Sequence, residues 1–475
     1  MPTASPLRVQ LQTLGCRLNE AELEAWARQF RRRGCRIAGA GEPADLLVVN
    51  TCAVTAEAVR KSRKLLRRLK REHPGARLVV SGCAASLDAA NLGDARIDLV
   101  VDNADKDRLV DIAAQALALP EPEASDAHMD AAEALFARGR QRAFVKVQDG
   151  CRYQCTFCVT TVARGAERSR PLHEIISEIN AVAGNQSGIE SGIGAGIGAQ
   201  EIILTGVQLG GYGRDLAAAP APDLTRLIAA VLRETDVPRI RLGSVEPWDL
   251  PDGFWCLFEN PRLMPHLHLP LQSGADTVLR RMARRCRTDE FRGLVHAARA
   301  AIPDFNVSTD VIVGFPGETD AEWRQTMDFV ASIGFGQLHI FPYSRRAGTR
   351  AAALPDQVPE PVKRARARQL HELDAVLRAE ALGALVGRSL PILIEGENAD
   401  ALGRYAAGFT PSYLPVRLRH APADAVGHIV AARLLAPSGD GTALEARIDT
   451  AAEAAPAVHA RRSTAPESRS ATQNS

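Results

Sequence analysis

The sequence has little of several features that would place it in a special class of protein. Aromatic residues make up only 5% of its 475 residues, and no apolar run approaches the ~20 residues of a membrane-spanning helix. The first ten residues, MPTASPLRVQ, contain no apolar segment typical of a secretion signal. The 58 basic and 56 acidic residues give a net charge of +2, so no global field indicates a nucleic-acid partner. We expect a cytoplasmic protein without membrane contact, in which any RNA-binding surface comes from local clustering of charge.

The rest of the composition is typical of a globular chain of two to four domains. Hydrophobic residues make up 46% and charged residues 24%, which excludes a wholly disordered chain and a small disulfide-stapled one. There are nine cysteines, an odd number. In a reducing cytosol they indicate metal ligands or reactive thiols rather than disulfides.

The first 119 residues alternate between strand and helix patterns. Strand-like runs at 7–11, 45–50, 77–80 and 97–101 are separated by helical stretches that include 20–33 and 55–72. This alternation predicts a parallel sheet with right-handed crossovers, in an N-terminal α/β domain over residues 5–119. Residues 120–140, rich in Ala, Glu, Asp and Pro, are predicted to be a linker.

A second series of strands and helices follows the linker. Six strand-like runs, at 144–147, 201–205, 239–242, 266–269, 307–313 and 337–341, predict a partial (βα)6 TIM-like barrel over residues 141–380. Such barrels carry their functional groups at the C-terminal ends of the strands. The Gly/Ser-rich stretch 184–198 is predicted to be a flexible excursion.

The last part of the chain changes character again. Residues 363–385 have the pattern of a basic amphipathic helix, and the short strands and Gly/Pro turns after it predict a small β-barrel over 384–450. Residues 451–475 are predicted to be a disordered tail.

Three cysteines lie close together in GCRYQCTFC, directly after a predicted strand. Cys151, Cys155 and Cys158 have the spacing C-x-x-x-C-x-x-C, which lets three thiolates converge from one loop. Three thiolates bind three irons of a [4Fe–4S] cube and leave the fourth iron open to S-adenosylmethionine, which one electron cleaves to a 5′-deoxyadenosyl radical. The alternative is a zinc site that lacks a nearby fourth ligand, with His173 the nearest candidate.

Three further cysteines are far apart in sequence but occupy equivalent places. Cys16, Cys52 and Cys83 each lie just past the end of one of the first three strands, in QTLGC, VVNTC and VVSGC. Since parallel strands bring their C-terminal ends to one edge of the sheet, these thiolates are predicted to form a second open three-ligand site. The alternative is three separate buried cysteines, which is how we interpret Cys35, Cys256 and Cys286.

At these six cysteines, and over residues 7–450, the sequence resembles the radical S-adenosylmethionine methylthiotransferases. The resemblance implies an N-terminal cluster domain, a central radical domain and a C-terminal barrel of the TRAM type. It also implies two [4Fe–4S] clusters: one generates the radical and the other holds sulfur, which a first S-adenosylmethionine methylates. We further expect a pocket at the domain interface, a small reducing electron-transfer protein as partner, and a monomer.

The family has three branches, which modify threonylcarbamoyladenosine in tRNA, isopentenyladenosine in tRNA, or an aspartate of a ribosomal protein. The motifs TLGCRLNEAELE, NTCAVTAEAVRKSRKLLRR, CTFCVTTVARGAERSRP, LTGVQLGGYGRDL and IRLGSVEPWDL look like the first branch. The isopentenyl branch reads closer to YGCQMN at the first cysteine. The insert 184–198 departs from the usual, shorter connection. An alternative of another class is a non-catalytic iron–sulfur protein that binds RNA.

The resemblance also implies residues that hold S-adenosylmethionine at strand ends in LTGVQ, GSVEP, PLQSG and STDVIVGFPGE. The predicted contacts are Thr205, Gly206, Ser244, Glu246, Gln272, Asp310 and Gly314. The alternative for each is an ordinary one, since polar residues at strand ends also cap helices and satisfy turns.

Basic residues cluster on one predicted helix, which carries eight of them between residues 60 and 71. We predict that it binds the phosphates of a tRNA anticodon loop, chiefly through Arg60, Lys61, Arg63, Lys64, Arg67 and Arg68. The alternative is a solvated helix face. Weaker candidates for RNA contact are an arginine cluster at 280–287 and the terminal barrel, where Tyr405, Phe409 and Tyr413 accompany Arg404, Arg417 and Arg419.

Overall fold

The computed structural model describes residues 6–39, 41–92, 96–119, 141–184, 198–217, 222–251, 253–422 and 424–449. The predicted linker 120–140, the predicted tail 451–475 and nearly all of the insert 184–198 lie outside the described residues. No helix in the described parts of the chain has the length and apolar character needed to cross a membrane.

The N-terminal region is a five-stranded parallel sheet with helices on both faces. Its strands are β1 (Arg8–Thr13), β2 (Arg36–Ile37), β3 (Leu46–Thr51), β4 (Arg77–Gly82) and β5 (Leu99–Val101), in the order β2-β1-β3-β4-β5. Its helices are α1 (Arg17–Arg32), α2 (Ala56–Glu72), α3 (Cys83–Asp88) and α4 (Leu109–Ala116), with short 3-10 turns at Ala89–Asn91 and Lys106–Arg108. Separate apolar clusters cover the two faces, as expected for a parallel sheet.

The central region is an open barrel of six parallel strands. In spatial order these are β6 (Arg142–Lys146), β9 (Glu201–Thr205), β10 (Arg239–Leu242), β11 (His266–His268), β12 (Asn306–Val313) and β13 (Gln337–Pro342). The bridge between Ser244 and His268 joins its two halves. A small antiparallel pair, β7 (Gln148–Asp149) and β8 (Arg168–Ser169), lies above β6.

Helices surround this barrel and one large apolar cluster fills the space between them and the strands. They are α5 (Thr160–Arg164), α6 (Leu172–Val182), α7 (Leu224–Glu234), α8 (Asp276–Arg281), α9 (Thr288–Ala301), α10 (Asp320–Ile333) and α11 (Glu360–Gly383). Short 3-10 segments occur at Leu209–Gly211, Pro247–Asp249, Phe254–Glu259 and Arg350–Ala353.

The C-terminal region is a closed five-stranded barrel. Its strands β14 (Ser389–Asp400), β15 (Gly403–Phe409), β16 (Pro415–Leu418), β17 (Ile429–Pro437) and β18 (Leu444–Ile448) pair in the closed order β14-β15-β16-β18-β17. The predicted fold class is thereby confirmed: a parallel N-terminal sheet, a partial (βα)6 barrel and a small terminal β-barrel.

Helix α1 covers the open edge of the central barrel. Ala21 on this helix packs against Phe144 and Ile203, which face into the barrel, and the Glu24 carboxylate accepts a hydrogen bond of 3.2 Å from the Phe144 N–H. A backbone N–H of the edge strand β6 thus finds its hydrogen-bond acceptor on a helix of another domain. Since α1 begins directly after Cys16, this packing brings Cys16 to the barrel.

Candidate metal-cluster site

Strand register brings Cys16, Cys52 and Cys83 together. Thr13, Asn50 and Ser81 lie side by side at the ends of β1, β3 and β4, and the cysteines follow them by two or three residues. Burial raises the pKa of the Cys52 thiol to about 11, and the charges of Cys16 and Cys83 contribute to the rise. The three thiols are thus close enough to interact, as the strand pattern predicts.

Glycines directly before two of these cysteines let the loops approach one another. Gly15 has a φ of +111°, and a Cβ there would lie 2.8 Å from the Cys52 sulfur. Gly82 has a φ of +99°, and a Cβ there would lie 2.3 Å from the Thr51 carbonyl oxygen. Both positions need a residue that tolerates a positive φ and has no side chain.

Cys151, Cys155 and Cys158 lie in the loop between β7 and α5, at the C-terminal end of the barrel. Burial raises the pKa of the Cys151 thiol to about 12, with a contribution from Cys158 and Cys155. The Tyr153 and Thr160 backbone N–H groups donate to the sulfurs of Cys151 and Cys158, each at 3.4 Å. A thiol that is hard to ionise, like that of Cys151, and that accepts a backbone N–H suits a sulfur that becomes a thiolate by binding metal.

The spacing of both sets of cysteines suits a group larger than a single ion. Among the described residues, His268, Asp310 and His339 are the one set of possible ligands whose atoms all lie within 4.8 Å of one another. Tetrahedral zinc, with Zn–S bonds of about 2.3 Å, requires sulfurs about 3.8 Å apart. Neither cysteine trio is that tight, which favours an iron–sulfur cube over the zinc alternative.

A buried ion cluster connects the two cysteine trios. Arg164, at the end of α5, donates hydrogen bonds of 2.8 Å to Glu22 and Asn19 on α1 and of 2.9 Å to Asp149. Lys106 lies 2.6 Å from the other oxygen of Glu22. Although burial alone would raise the pKa of Glu22, Arg164 and Lys106 hold it well below its ordinary value.

The sequence did not reveal this cluster, since its partners lie up to 145 residues apart. A signal was present: Glu22 stands on the face of α1 that also carries the buried Leu18 and Trp26. An acidic residue on an apolar helix face requires a buried partner.

Four of the predicted cofactor contacts lie at the ends of β9 and β10. Thr205 is buried, and Gly206 lies so close to Gln148 that a Cβ would be 3.0 Å from its side-chain oxygen. Ser244 is exposed, whereas Glu246 accepts hydrogen bonds of 3.0 and 2.6 Å from Arg284. Arg284 in turn lies 3.8 Å from the Cys155 sulfur, so this ion pair adjoins the cysteine loop.

The other three predicted contacts have different surroundings. Asp310 on β12 lies 3.2 Å from His268 and 3.2 Å from His339, with a quarter of its side-chain surface accessible. Gln272 has a φ of +78° and its N–H donates to the Asp310 carbonyl at 2.8 Å. Gly314 packs against Lys363 of α11, and its N–H donates to Glu318 at 2.8 Å.

The basic residues predicted to bind RNA lie on α2, whose inner face buries Leu65, Leu66 and Leu69. Arg63 is half-buried and the other five are exposed: Arg60, Lys61, Lys64, Arg67 and Arg68. Arg60 pairs with Glu57 at 2.7 Å, and Arg68 lies 3.9 Å from Glu72. The helix therefore presents a positive outer face.

The weaker RNA candidates are largely occupied within the protein. Arg281 and Arg284 pair with Glu322 and Glu246, and Arg417 and Arg419 of the terminal barrel pair with Asp400. Phe409 and Tyr413 stack on each other at 4.8 Å and face the central barrel, where Arg142 lies over both rings. These two aromatics serve domain docking rather than base stacking.

The three remaining cysteines show no shared site. Cys35 and Cys286 are buried, in agreement with a packing role, whereas Cys256 is exposed.

An open parallel barrel that carries three cysteines in the loop after its first strands is the architecture of a radical S-adenosylmethionine enzyme. Residues 145–330 match the Radical SAM superfamily, and residues 8–102 match the uncharacterized protein family UPF0004. The fold is also similar to that of a radical S-adenosylmethionine methyltransferase, TsrM, from Kitasatospora setae, with a TM-score of 0.52 at 15% identity. The match covers 73% of this chain and 77% of that one.

Curated relatives extend over most of the chain. Threonylcarbamoyladenosine tRNA methylthiotransferases MtaB from Thermotoga maritima and Bacillus subtilis are each 33% identical, over 82% and 90% of this chain and 86% and 93% of their own. The tRNA-2-methylthio-N(6)-dimethylallyladenosine synthase of Maricaulis maris is also 33% identical, over 91% of this chain and 95% of its own. The chain belongs to the radical S-adenosylmethionine tRNA methylthiotransferases, a family that uses S-adenosylmethionine and a [4Fe–4S] cluster.

Proposed function

We propose that this enzyme converts N6-threonylcarbamoyladenosine next to the tRNA anticodon to its 2-methylthio derivative, with two [4Fe–4S] clusters. The observation that carries the proposal is the pair of cysteine trios, one at the edge of the N-terminal sheet and one at the end of the barrel. The shared ion cluster around Arg164 and Glu22 fixes the two domains against each other. Substrate then binds where both trios are accessible, at the domain interface.

The residues divide the work between the two domains. Cys151, Cys155 and Cys158 would hold the cluster that, with S-adenosylmethionine bound, would supply a radical able to remove hydrogen from an unactivated aromatic C–H. Thr205, Gly206, Ser244, Glu246 and Gln272, at the neighbouring strand ends, support the cofactor, and Asp310 and Gly314 remain predicted contacts. Cys16, Cys52 and Cys83 would hold the second, sulfur-bearing cluster. A small reducing electron-transfer protein as electron donor and a monomeric state also remain predictions.

The polar side chains inside the barrel favour a substrate whose adenine carries a polar substituent. His268, Asp310 and His339 point into it from three adjacent strands, and Asp310 lies 3.2 Å from each of the two histidines. Such groups can hydrogen-bond the urea and hydroxyl of a threonylcarbamoyl group. An isoprenoid chain would cover these polar groups without hydrogen-bonding them, at a cost in binding free energy.

The outer face of α2 is the proposed tRNA surface. Its exposed basic residues lie on the same domain as the sheet-edge cysteines, and Thr55 caps the helix by accepting the Ala58 N–H at 3.1 Å. Phosphate contacts from this face would position the anticodon loop without reading its sequence.

Methylthiolation of dimethylallyladenosine is the second candidate, because a relative named for that activity has the same 33% identity. Mass spectrometry of tRNA nucleosides from cells lacking the protein separates the two. Loss of 2-methylthio-threonylcarbamoyladenosine supports the proposal, and loss of the dimethylallyl analogue instead contradicts it. Iron near eight per chain in anaerobic protein supports two clusters, and iron near four contradicts them.

A further inference from the structure

The junction of the three domains encloses an excess of positive charge. Arg241 pairs with Glu201 at 2.9 Å, Arg142 hydrogen-bonds Glu395 at 2.9 Å, and Arg239 lies 3.9 Å from Glu201. The fourth arginine at this junction is Arg17. The guanidinium groups of Arg17, Arg142 and Arg241 all lie close to the Tyr413 ring. Four cations thus share two carboxylates.

Arg17 is the arginine left without a carboxylate. Its guanidinium donates a hydrogen bond of 3.3 Å to the Tyr413 hydroxyl, and no Asp or Glu of the described chain lies within 4.0 Å of it. A half-buried guanidinium that lies among other arginines and pairs with no carboxylate of its own is costly, and an anion that binds beside it reduces this cost.

A cavity lies beside this guanidinium. Its volume is about 350 Å³, and Gly15, Cys16, Arg17, Arg142 and Phe144 are among the residues that line it. This volume falls within the range of small-ligand pockets. Two carboxylates also border the cavity: Glu395 is held by Arg142, and Glu20 stands one helical turn beyond Cys16. The guanidinium of Arg17 is therefore next to a proposed cluster ligand, in a space that can admit part of a nucleotide.

We propose that Arg17 binds an oxyanion of the bound nucleotide, namely the carboxylate of the threonyl group on N6 of the adenine. The inference rests on the proposed function, since a dimethylallyl group carries no charge. The planar guanidinium presents paired N–H donors that match the two oxygens of a carboxylate. The same site would hold the adenine beside Cys16, and so beside the proposed cluster that provides the sulfur for the adenine.

The test measures binding rather than turnover. Anaerobic, cluster-loaded enzyme is titrated with three anticodon stem-loop RNAs that differ only at the target: threonylcarbamoyladenosine, its methyl ester, and unmodified adenosine. Fluorescence anisotropy gives the Kd of each. We expect the free acid to bind about tenfold or more tighter than the ester, as for a hydrogen-bonded charge. Arg17→Gln should bring the ratio near one, and Arg17→Lys should keep part of it.

Arg36→Gln is the matched control, because Arg36 is an exposed arginine of the same domain that pairs with Glu42. It should leave the acid-to-ester ratio unchanged. If Arg17→Gln weakens all three RNAs equally, the residue contacts a phosphate and the carboxylate assignment is wrong.

The Kd values of the free-acid and methyl-ester RNAs can be compared in the unaltered enzyme, without any variant. Misfolding of Arg17→Gln therefore does not affect that comparison. Equal affinity there, in an enzyme that still methylthiolates threonylcarbamoyladenosine, overturns the inference alone. An enzyme that modifies only the dimethylallyl RNA overturns the proposed function itself.

Discussion

The two cysteine trios of this enzyme are built in different ways. Cys151, Cys155 and Cys158 come from eight consecutive residues, so one loop holds them whatever the rest of the chain does. Cys16, Cys52 and Cys83 span 68 residues of sequence from first to last and meet only because three parallel strands end at one edge. The first trio is a local feature of the sequence, whereas the second depends on the sheet, its register and its glycines.

The largest expected effect separates the two trios chemically. Cys155→Ala should reduce cleavage of S-adenosylmethionine to the background rate, because two thiolates do not hold an open cluster. Cys52→Ala should leave cleavage intact and abolish thiolation. The measurements are 5′-deoxyadenosine formation and methylthiolated nucleoside, each by mass spectrometry. Full product from Cys52→Ala would show that one trio is sufficient.

The next prediction concerns the glycine on which the assembled trio depends. Gly82→Ala places a Cβ 2.3 Å from the Thr51 carbonyl oxygen and strains a positive φ, at a cost of about 1–3 kcal/mol in stability. We expect iron content to fall by about half while S-adenosylmethionine cleavage persists. Gly75→Ala is the control, since a Cβ there contacts nothing within 4 Å. Equal iron in both variants would contradict a close loop approach.

A third prediction addresses the ion cluster between the trios. Glu22→Gln leaves Arg164 and Lys106 without their shared carboxylate and should lower the free energy of unfolding by about 3–5 kcal/mol. Urea denaturation measures it. Glu57→Gln, which breaks an exposed pair with Arg60, should cost less than about 1 kcal/mol. Similar losses in the two variants would mean that the buried cluster adds no stability.

The same carboxylate gives a pH dependence. Because Arg164 and Lys106 hold the pKa of Glu22 below its ordinary 4.5 despite burial, its contribution is complete above that pH and is lost as pH falls through the lowered pKa. The unaltered protein should therefore lose stability more steeply below pH 4.5 than Glu22→Gln does. Urea midpoints between pH 3 and pH 7 test this, and parallel curves would contradict it.

The smallest expected effect concerns tRNA affinity. Replacing Arg60, Lys61, Lys64, Arg67 and Arg68 of α2 by Gln should weaken tRNA binding and lower the slope of log affinity against log salt by about 0.7–0.9 per lost phosphate contact. Arg417→Gln with Arg419→Gln is the control, since acidic partners already occupy both. If the salt slope falls only in the control, the terminal barrel binds the RNA and the proposed surface on α2 is wrong.

The sequence by itself determined the fold class and both cysteine trios. Strands that alternate with helices pair in parallel, and parallel strands bring their C-terminal ends, with Cys16, Cys52 and Cys83, to one edge. The short spacing in GCRYQCTFC lets a single loop bring the other three cysteines together. The basic face of α2 was also readable, because its Leu65, Leu66 and Leu69 follow a helical period.

Only the tertiary structure decided how charges and aromatics are used. Arg164 meets Glu22 across 142 residues, and Tyr413 meets Arg17 across 396. In sequence, Phe409 and Tyr413 look as suitable for RNA bases as for packing, and the fold assigns them to domain docking. The physical reason is that no periodic pattern in the sequence shows which partner a charged or aromatic side chain will have. A side chain buried at a domain junction pairs with whatever group the fold places beside it, and that neighbourhood exists only once the chain has folded.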